Sequence, residues 1–63
     1  MIVKLVNKHD FSERVCECIT FHSCAFTQWA IVLPSGEVTF YSKSIWDLYK
    51  YTKEGFVKYE KTL

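Results

Sequence analysis

The chain has 63 residues, of which 49% are hydrophobic and 24% are charged, a composition typical of a folded domain rather than of a disordered segment. Eight basic side chains accompany seven acidic ones, so the chain has neither the basic excess of a duplex-DNA binder nor the acidic excess of a DNA mimic. No apolar run reaches the length of a signal peptide or of a membrane-spanning helix. We therefore expect a single domain over residues 1–63, complete as a small open reading frame.

The first half of the chain predicts three strands. Ile2–Val6 is short and rich in β-branched residues, and a polar loop follows it. Val15–Phe21 alternates between two faces, and Thr27–Leu33 has Trp29 and Ile31 on one of its faces.

The clearest local signal is a turn that joins two strands. In Leu33-Pro34-Ser35-Gly36 the proline presets the backbone for a turn, and the glycine permits the left-handed conformation that closes a hairpin. The returning strand is predicted over Glu37–Tyr41. Its alternation is expected to direct Val38 and Phe40 inward and Tyr41 outward.

A helix is predicted after this hairpin. Ser44 and Asp47 fit a capping pattern at its start, and Gly55 suits a left-handed cap at its end. Large side chains recur at helical spacing on one face, namely Ile45, Leu48, Tyr49 and Thr52. A last strand is predicted over Phe56–Lys61.

Together these elements predict an α+β fold. The expected order is β-β-β-β-α-β, with four to five strands in one mostly antiparallel sheet and the helix packed on one face of it. The order of the strands within the sheet stays open.

One stretch of the chain contains four side chains of the kinds that bind zinc, namely Cys16, Cys18, His22 and Cys24. A single residue separates the first two cysteines, whereas a zinc knuckle needs two. Reduced cysteine is also a common core residue, so thiols without a metal or another cofactor are the favoured interpretation. An odd number of cysteines without an export signal favours the cytoplasm.

No catalytic motif is present. His9 and Asp10 lie in a polar loop, without a nucleophile elbow, a phosphate-binding loop or paired carboxylates. A chain this short cannot build a pocket around such residues and also keep a core. We expect a protein that is not an enzyme.

Aromatic residues crowd the last third of the chain. On the predicted helix, Trp46 and Tyr51 fall outside the apolar stripe, and exposed rings of this kind are typical of protein–protein hot spots. The alternative is that these rings have only a structural role at the edge of the core, because so small a domain cannot bury every ring. The predicted partner-binding surface consists of Tyr41, Trp46, Lys50, Tyr51 and Lys53.

The expected function is a small binding module that modulates a larger protein, in the first place by inhibiting it. Its format is similar to that of the small stand-alone proteins that bacteriophages make to bind host enzymes, a likeness of size and style that transfers no residues. A phage-encoded chain would act in the host cytoplasm, and no membrane partner is expected.

Two alternatives stay open. The same rings and lysines could stack against single-stranded nucleic acid. The chain could also be a structural protein that self-associates as a homodimer, through an edge strand such as Ile2–Val6.

Overall fold

The computed structural model describes residues 1–60, and none of them is helical. The strands are β1 (Ile2–Asn7), β2 (Glu13–Glu17), β3 (Thr20–Cys24), β4 (Gln28–Val32), β5 (Val38–Ser42), β6 (Trp46–Thr52) and β7 (Gly55–Lys58). They form a four-stranded sheet in the order β2-β1-β6-β7 and a three-stranded sheet in the order β3-β4-β5. Neighbouring strands are antiparallel throughout both sheets.

The predicted α+β fold is therefore wrong, because the segment predicted as a helix is strand β6. A run as short as Trp46–Thr52 satisfies both the helical and the alternating pattern, and its tryptophan, tyrosines and threonine favour strands. β6 pairs with β1 on one side and with β7 on the other. These two ladders satisfy its backbone polar groups without a helix.

Gly55 adopts the left-handed conformation that was predicted, with φ of +95°, but it does not end a helix. It pairs with Thr52 across the β6–β7 turn, and the Thr52 hydroxyl donates a hydrogen bond to the Gly55 carbonyl at 3.0 Å. The same glycine signal therefore closes a hairpin. The strand that follows ends at Lys58, and the end of the predicted strand, Lys61, lies outside the described residues.

The predicted strand Val15–Phe21 is divided between the two sheets. The chain leaves the four-stranded sheet after β2 and enters the three-stranded sheet at β3. At the crossing, the Cys18 amide donates to the Met1 carbonyl and the Ile19 amide donates to the Val32 carbonyl, both at 2.8 Å. These two bonds attach the connection to the residue before β1 and to the end of β4.

The predicted hairpin at residues 33–36 is confirmed, but the predicted orientation of its second strand is wrong. The Gly36 amide donates to the Leu33 carbonyl at 2.9 Å, and Gly36 has φ of +92°. Trp29 pairs with Tyr41 in the β4–β5 ladder. Directly opposed residues share a face, so Tyr41 points inward and Phe40 points outward.

The core lies between the two sheets. The four-stranded sheet contributes Val3, Leu5 and Leu48, all fully buried, and the three-stranded sheet contributes Trp29 and Ile31. Partly buried rings extend this core through edge-to-face contacts, Phe21–Tyr59 at 4.9 Å, Trp29–Tyr59 at 5.7 Å and Tyr41–Trp46 at 5.6 Å between ring centroids. Each sheet therefore keeps its other face toward solvent.

Candidate functional site

Two of the five residues predicted to bind a partner belong to the edge of the core. The Tyr41 and Trp46 rings pack against each other, and both contact the buried cluster. The Trp46 carbonyl also accepts a hydrogen bond from the Trp29 indole N–H at 3.2 Å. These contacts join the two sheets, so we expect truncation of Trp46 to lower stability.

The other three predicted residues lie elsewhere. Tyr51 is 56% exposed. It lies five residues after Trp46 on the same strand, and because side chains alternate along a strand, it is on the opposite face of the sheet. Lys50 is exposed opposite Val3, and Lys53 lies in the β6–β7 turn. The structure does not bring the five residues together on one surface.

The outer face of the four-stranded sheet combines aromatic and charged side chains. The Lys4 ammonium lies 4.6 Å from the centroid of the Phe56 ring and 5.4 Å from that of Tyr49, and Phe56 packs edge-to-face on Tyr51 at 5.1 Å. The alternation of the paired strands gives this face eleven side chains, namely Ile2, Lys4, Val6, Glu13, Val15, Glu17, Asp47, Tyr49, Tyr51, Phe56 and Lys58. Two are basic and three are acidic, and Lys4 pairs with Glu13 at 3.7 Å.

The outer face of the three-stranded sheet has a different character. It carries nine side chains, Thr20, His22, Cys24, Gln28, Ala30, Val32, Val38, Phe40 and Ser42, and none of them is Lys, Arg, Asp or Glu. We call this surface the uncharged face. Phe40 is 56% exposed and Val38 is 44% exposed, so their apolar area meets solvent.

Two further apolar residues are exposed in the connections at the two ends of β3. Ile19, just before β3, is 58% exposed, and Phe26, in the turn after β3, is 74% exposed. The prediction from sequence missed the uncharged face because it directed Val38 and Phe40 inward. The length of the turn is the sequence signal that identifies this surface. A three-residue loop over 34–36 places Tyr41 opposite Trp29, and therefore puts Val38 and Phe40 on the face that points away from Trp29.

The four candidate zinc ligands are spread over both sheets. Cys16 lies on β2, Cys18 is buried at the crossing between the sheets, and His22 and Cys24 lie on the uncharged face. Within residues 1–60, no three His, Cys, Asp or Glu side chains are grouped closely enough to hold a metal ion. Burial raises the pKa of the Cys16 and Cys18 thiols, and the neighbouring Cys18 raises that of Cys16 further.

The polar loop after β1 is held by its own hydrogen bonds. The Ser12 amide donates to the Asp10 carboxylate at 2.9 Å, and this bond lowers the pKa of the Asp10 carboxyl. The His9 amide donates to the Asn7 side chain at 2.8 Å. The Asp10 carboxylate and the His9 backbone amide therefore help to close the β1–β2 connection.

A cleft of about 280 Å³ is lined by Trp29 of the three-stranded sheet and by Trp46, Asp47 and Lys58 of the four-stranded sheet, among others. Asp47 pairs there with Lys8 at 3.7 Å and with Lys58 at 3.8 Å, and Lys58 also pairs with Glu60 at 3.6 Å. The Lys43 ammonium lies 4.4 Å from the centroid of the Trp29 ring and donates to the Ser23 hydroxyl. The cations of the cleft thus have protein partners already.

Comparison with protein-family models, curated proteins and solved structures found no match for this chain. Residues 1–60 include no helix with the length and apolar character needed to cross a membrane.

Proposed function

We propose that this protein is a non-enzymatic binding module that modulates a larger protein, and that it docks through the uncharged face. One observation carries the proposal, namely that an open sheet face exposes Val38 and Phe40 and has no charged side chain. The centres of protein–protein interfaces are enriched in aromatic residues and depleted of charge in the same way. An aromatic anchor such as Phe40 is the expected hot spot.

The uncharged face fits a protein better than a nucleic acid. Binding to a phosphate backbone depends on Lys and Arg, and the uncharged face has neither. The outer face of the four-stranded sheet has aromatic rings that could stack on bases and two lysines, but its three acidic side chains would repel a phosphate backbone. Single-stranded nucleic acid therefore stays an alternative with weaker support.

The proposed mode of action follows from the shape of the surface. An open, uncharged sheet face with exposed apolar side chains acts by covering a partner's surface, and inhibition by occlusion is the simplest result of such covering. The three cysteines are free thiols, which suits a reducing compartment, and we propose the cytoplasm as the site of action.

Affinity capture from lysate of the cells in which the protein is made tests the proposal. The bait is the purified chain, and the test variant is Phe40→Lys, which puts a charge in the middle of β5 on the uncharged face. Tyr51→Lys is the matched control, because Tyr51 is an aromatic residue with the same exposure of 56% on the other sheet. Each capture is repeated after nuclease treatment and checked for folding by circular dichroism.

We expect the wild type and Tyr51→Lys to retain one protein partner, and Phe40→Lys to retain at least tenfold less of it, because loss of an interface hot spot has about this effect. Equal capture by Phe40→Lys would exclude the uncharged face as the docking surface. Captured proteins that disappear after nuclease treatment, and are lost with Tyr51→Lys, would support nucleic-acid binding by the four-stranded face instead.

A further inference from the structure

Strand β5 is an edge strand whose free backbone groups are identifiable. The Lys43 amide donates to the Thr27 carbonyl and the Leu33 amide donates to the Glu37 carbonyl, each at 2.8 Å, so both ends of the β4–β5 ladder are hydrogen-bonded pairs. In an antiparallel ladder such pairs alternate with pairs that are not hydrogen-bonded. The N–H and C=O groups of Val38 and Phe40 therefore point away from β4, toward the open edge.

Over Val38 and Phe40 this edge has none of the usual protection against pairing. At its end the edge-facing Ser42 carbonyl accepts a hydrogen bond from the Ile45 amide at 3.1 Å. Natural edge strands use charged residues, prolines or bulges to prevent association with other strands. Strand β5 has the sequence Val-Thr-Phe-Tyr-Ser, which contains neither a charged residue nor a proline. Edge strand β2 carries three charged residues in five, and edge strand β7 ends in Lys58. Edge strand β3 is also uncharged, but its sequence places no opposite charges at its two ends.

The residues at the two ends of β5 define how a second copy would fit. If two β5 strands pair antiparallel around a twofold axis at Phe40, Val38 faces Ser42 of the other copy, and Thr39 faces Tyr41. In the same register, Glu37 of each copy lies directly opposite Lys43 of the other copy. The Lys43 ammonium contacts the Trp29 ring and the Ser23 hydroxyl, both neutral, and pairs with no carboxylate within residues 1–60, so its charge is still available to Glu37. Shifting the axis to Thr39 or Tyr41 separates these opposite charges. The pairing centred on Phe40 therefore combines an uncharged middle with complementary ends.

We propose that the protein forms a homodimer by antiparallel pairing of β5 with β5, centred on Phe40. The two three-stranded sheets then join into one six-stranded sheet, and the uncharged faces of the two copies become continuous. This proposal goes beyond the proposed function and does not depend on it, because it is tested on the purified chain alone.

The interface of the proposed dimer is small. Five residues of strand span about 17 Å, so the buried area is at the lower end of that of specific interfaces. We expect a reversible monomer–dimer equilibrium with a dissociation constant in the micromolar range, on the order of 1–100 μM. Sedimentation equilibrium across a concentration series that spans this range measures it.

The test uses substitutions at the residue on the axis. Phe40→Lys places two ammonium groups opposite each other in the dimer, and Phe40→Glu places two carboxylates there. The dissociation constant of each variant alone is therefore expected to be at least tenfold higher than that of the wild type. An equimolar mixture of the two variants puts opposite charges on the axis and is expected to restore a dimer that contains one of each. Tyr51→Lys is the control and is expected to dimerise as the wild type does.

Amide hydrogen exchange distinguishes the β5 edge from other contacts. Exchange at Val38 and Phe40 is expected to be fast at concentrations where the protein is monomeric and slow where it is dimeric, with no such change in β2. A wild-type chain that is monomeric at all concentrations would overturn the proposal. So would a dimer that Phe40→Lys leaves intact, or a mixture of the two charged variants that stays monomeric. A dimer without a captured protein partner would leave this proposal standing and remove the proposed function.

Discussion

At the scale of single residues, the three thiols occupy three different environments. Cys24 is exposed at the end of β3, Cys16 is partly buried on β2, and Cys18 is buried where the chain crosses between the sheets. Burial raises the pKa of the Cys16 and Cys18 thiols. A raised pKa reduces the fraction of reactive thiolate at any given pH below it, and burial also limits access to a reagent.

We therefore expect iodoacetamide at about pH 8, just below the ordinary thiol pKa, to modify Cys24 at least tenfold faster than Cys16 or Cys18. Mass spectrometry of the intact protein would then show one rapid adduct for each chain, and peptide mapping would assign it. Cys24→Ser should remove this rapid adduct and leave the two slow ones. Rapid modification of Cys18 in the folded protein would contradict its burial at the crossing.

At the scale of secondary-structure elements, β6 holds the four-stranded sheet together because it pairs on both sides. Leu48 is fully buried and lies opposite Leu5 of β1, while the next residue, Tyr49, lies on the outer face opposite Lys4. This alternation is that of a strand with one face toward the core and one toward solvent. A helix over the same residues would leave β1 with a neighbour on one side only.

This assignment predicts the backbone chemical shifts of Trp46–Thr52. We expect their Cα and Cβ shifts to have the signs typical of strands, as in the reference strand Gln28–Val32, and we expect nuclear Overhauser effects between β6 and β1. The measurement is a triple-resonance assignment of the labelled protein. Cα shifts of helical sign over Trp46–Thr52 would contradict the all-β fold.

The elements that could be predicted from the sequence are those with strong local signals. The Leu33-Pro34-Ser35-Gly36 turn and the strand at Ile2 were predicted, since turn chemistry and β-branched residues act within a few positions. Local signals do not decide whether residues 46–52 form a helix or a strand, because the sequence fits both the helical and the alternating pattern. Pairing with β1, which is distant in sequence, decides for the strand. The idea that Ile2–Val6 is an edge strand fails for the same reason, since β1 lies between β2 and β6.

The candidate site depended on the same non-local information. Helical geometry would have separated Trp46 and Tyr51 from the core, whereas the strand directs Trp46 inward and Tyr51 outward. The uncharged face needs the pairing of β3, β4 and β5 before its nine side chains are seen to share a surface. Composition alone does not reveal it, because the charged residues elsewhere in the chain conceal the local absence of charge.

At the scale of the whole molecule, the two sheets differ in the sequence separation of their paired strands. Residues 20–42 contain the whole three-stranded sheet, and its strands pair with their neighbours in sequence. The four-stranded sheet requires Val3 to meet Lys50, which is 47 positions later. Contacts between distant residues carry the larger loss of chain entropy, so local pairing is favoured early in folding.

We therefore expect the three-stranded sheet to be formed in the folding transition state and the β1–β6 pairing to follow it. Ile31→Val, which should cost about 0.5–1.5 kcal/mol, is expected chiefly to slow folding. Leu48→Ala, which should cost about 2–5 kcal/mol, is expected chiefly to speed unfolding. Stopped-flow tryptophan fluorescence in urea measures both rates, and the opposite partition would indicate that the four-stranded sheet forms first.

This order has a consequence for the partly folded protein. Every residue of the uncharged face lies between positions 20 and 42, so the face and the open β5 edge are present before β1 pairs with β6. A chain in this state exposes its β5 edge while its four-stranded sheet is still unformed. Refolding at high protein concentration would therefore bring unfinished chains together through β5, and dilution would keep them apart.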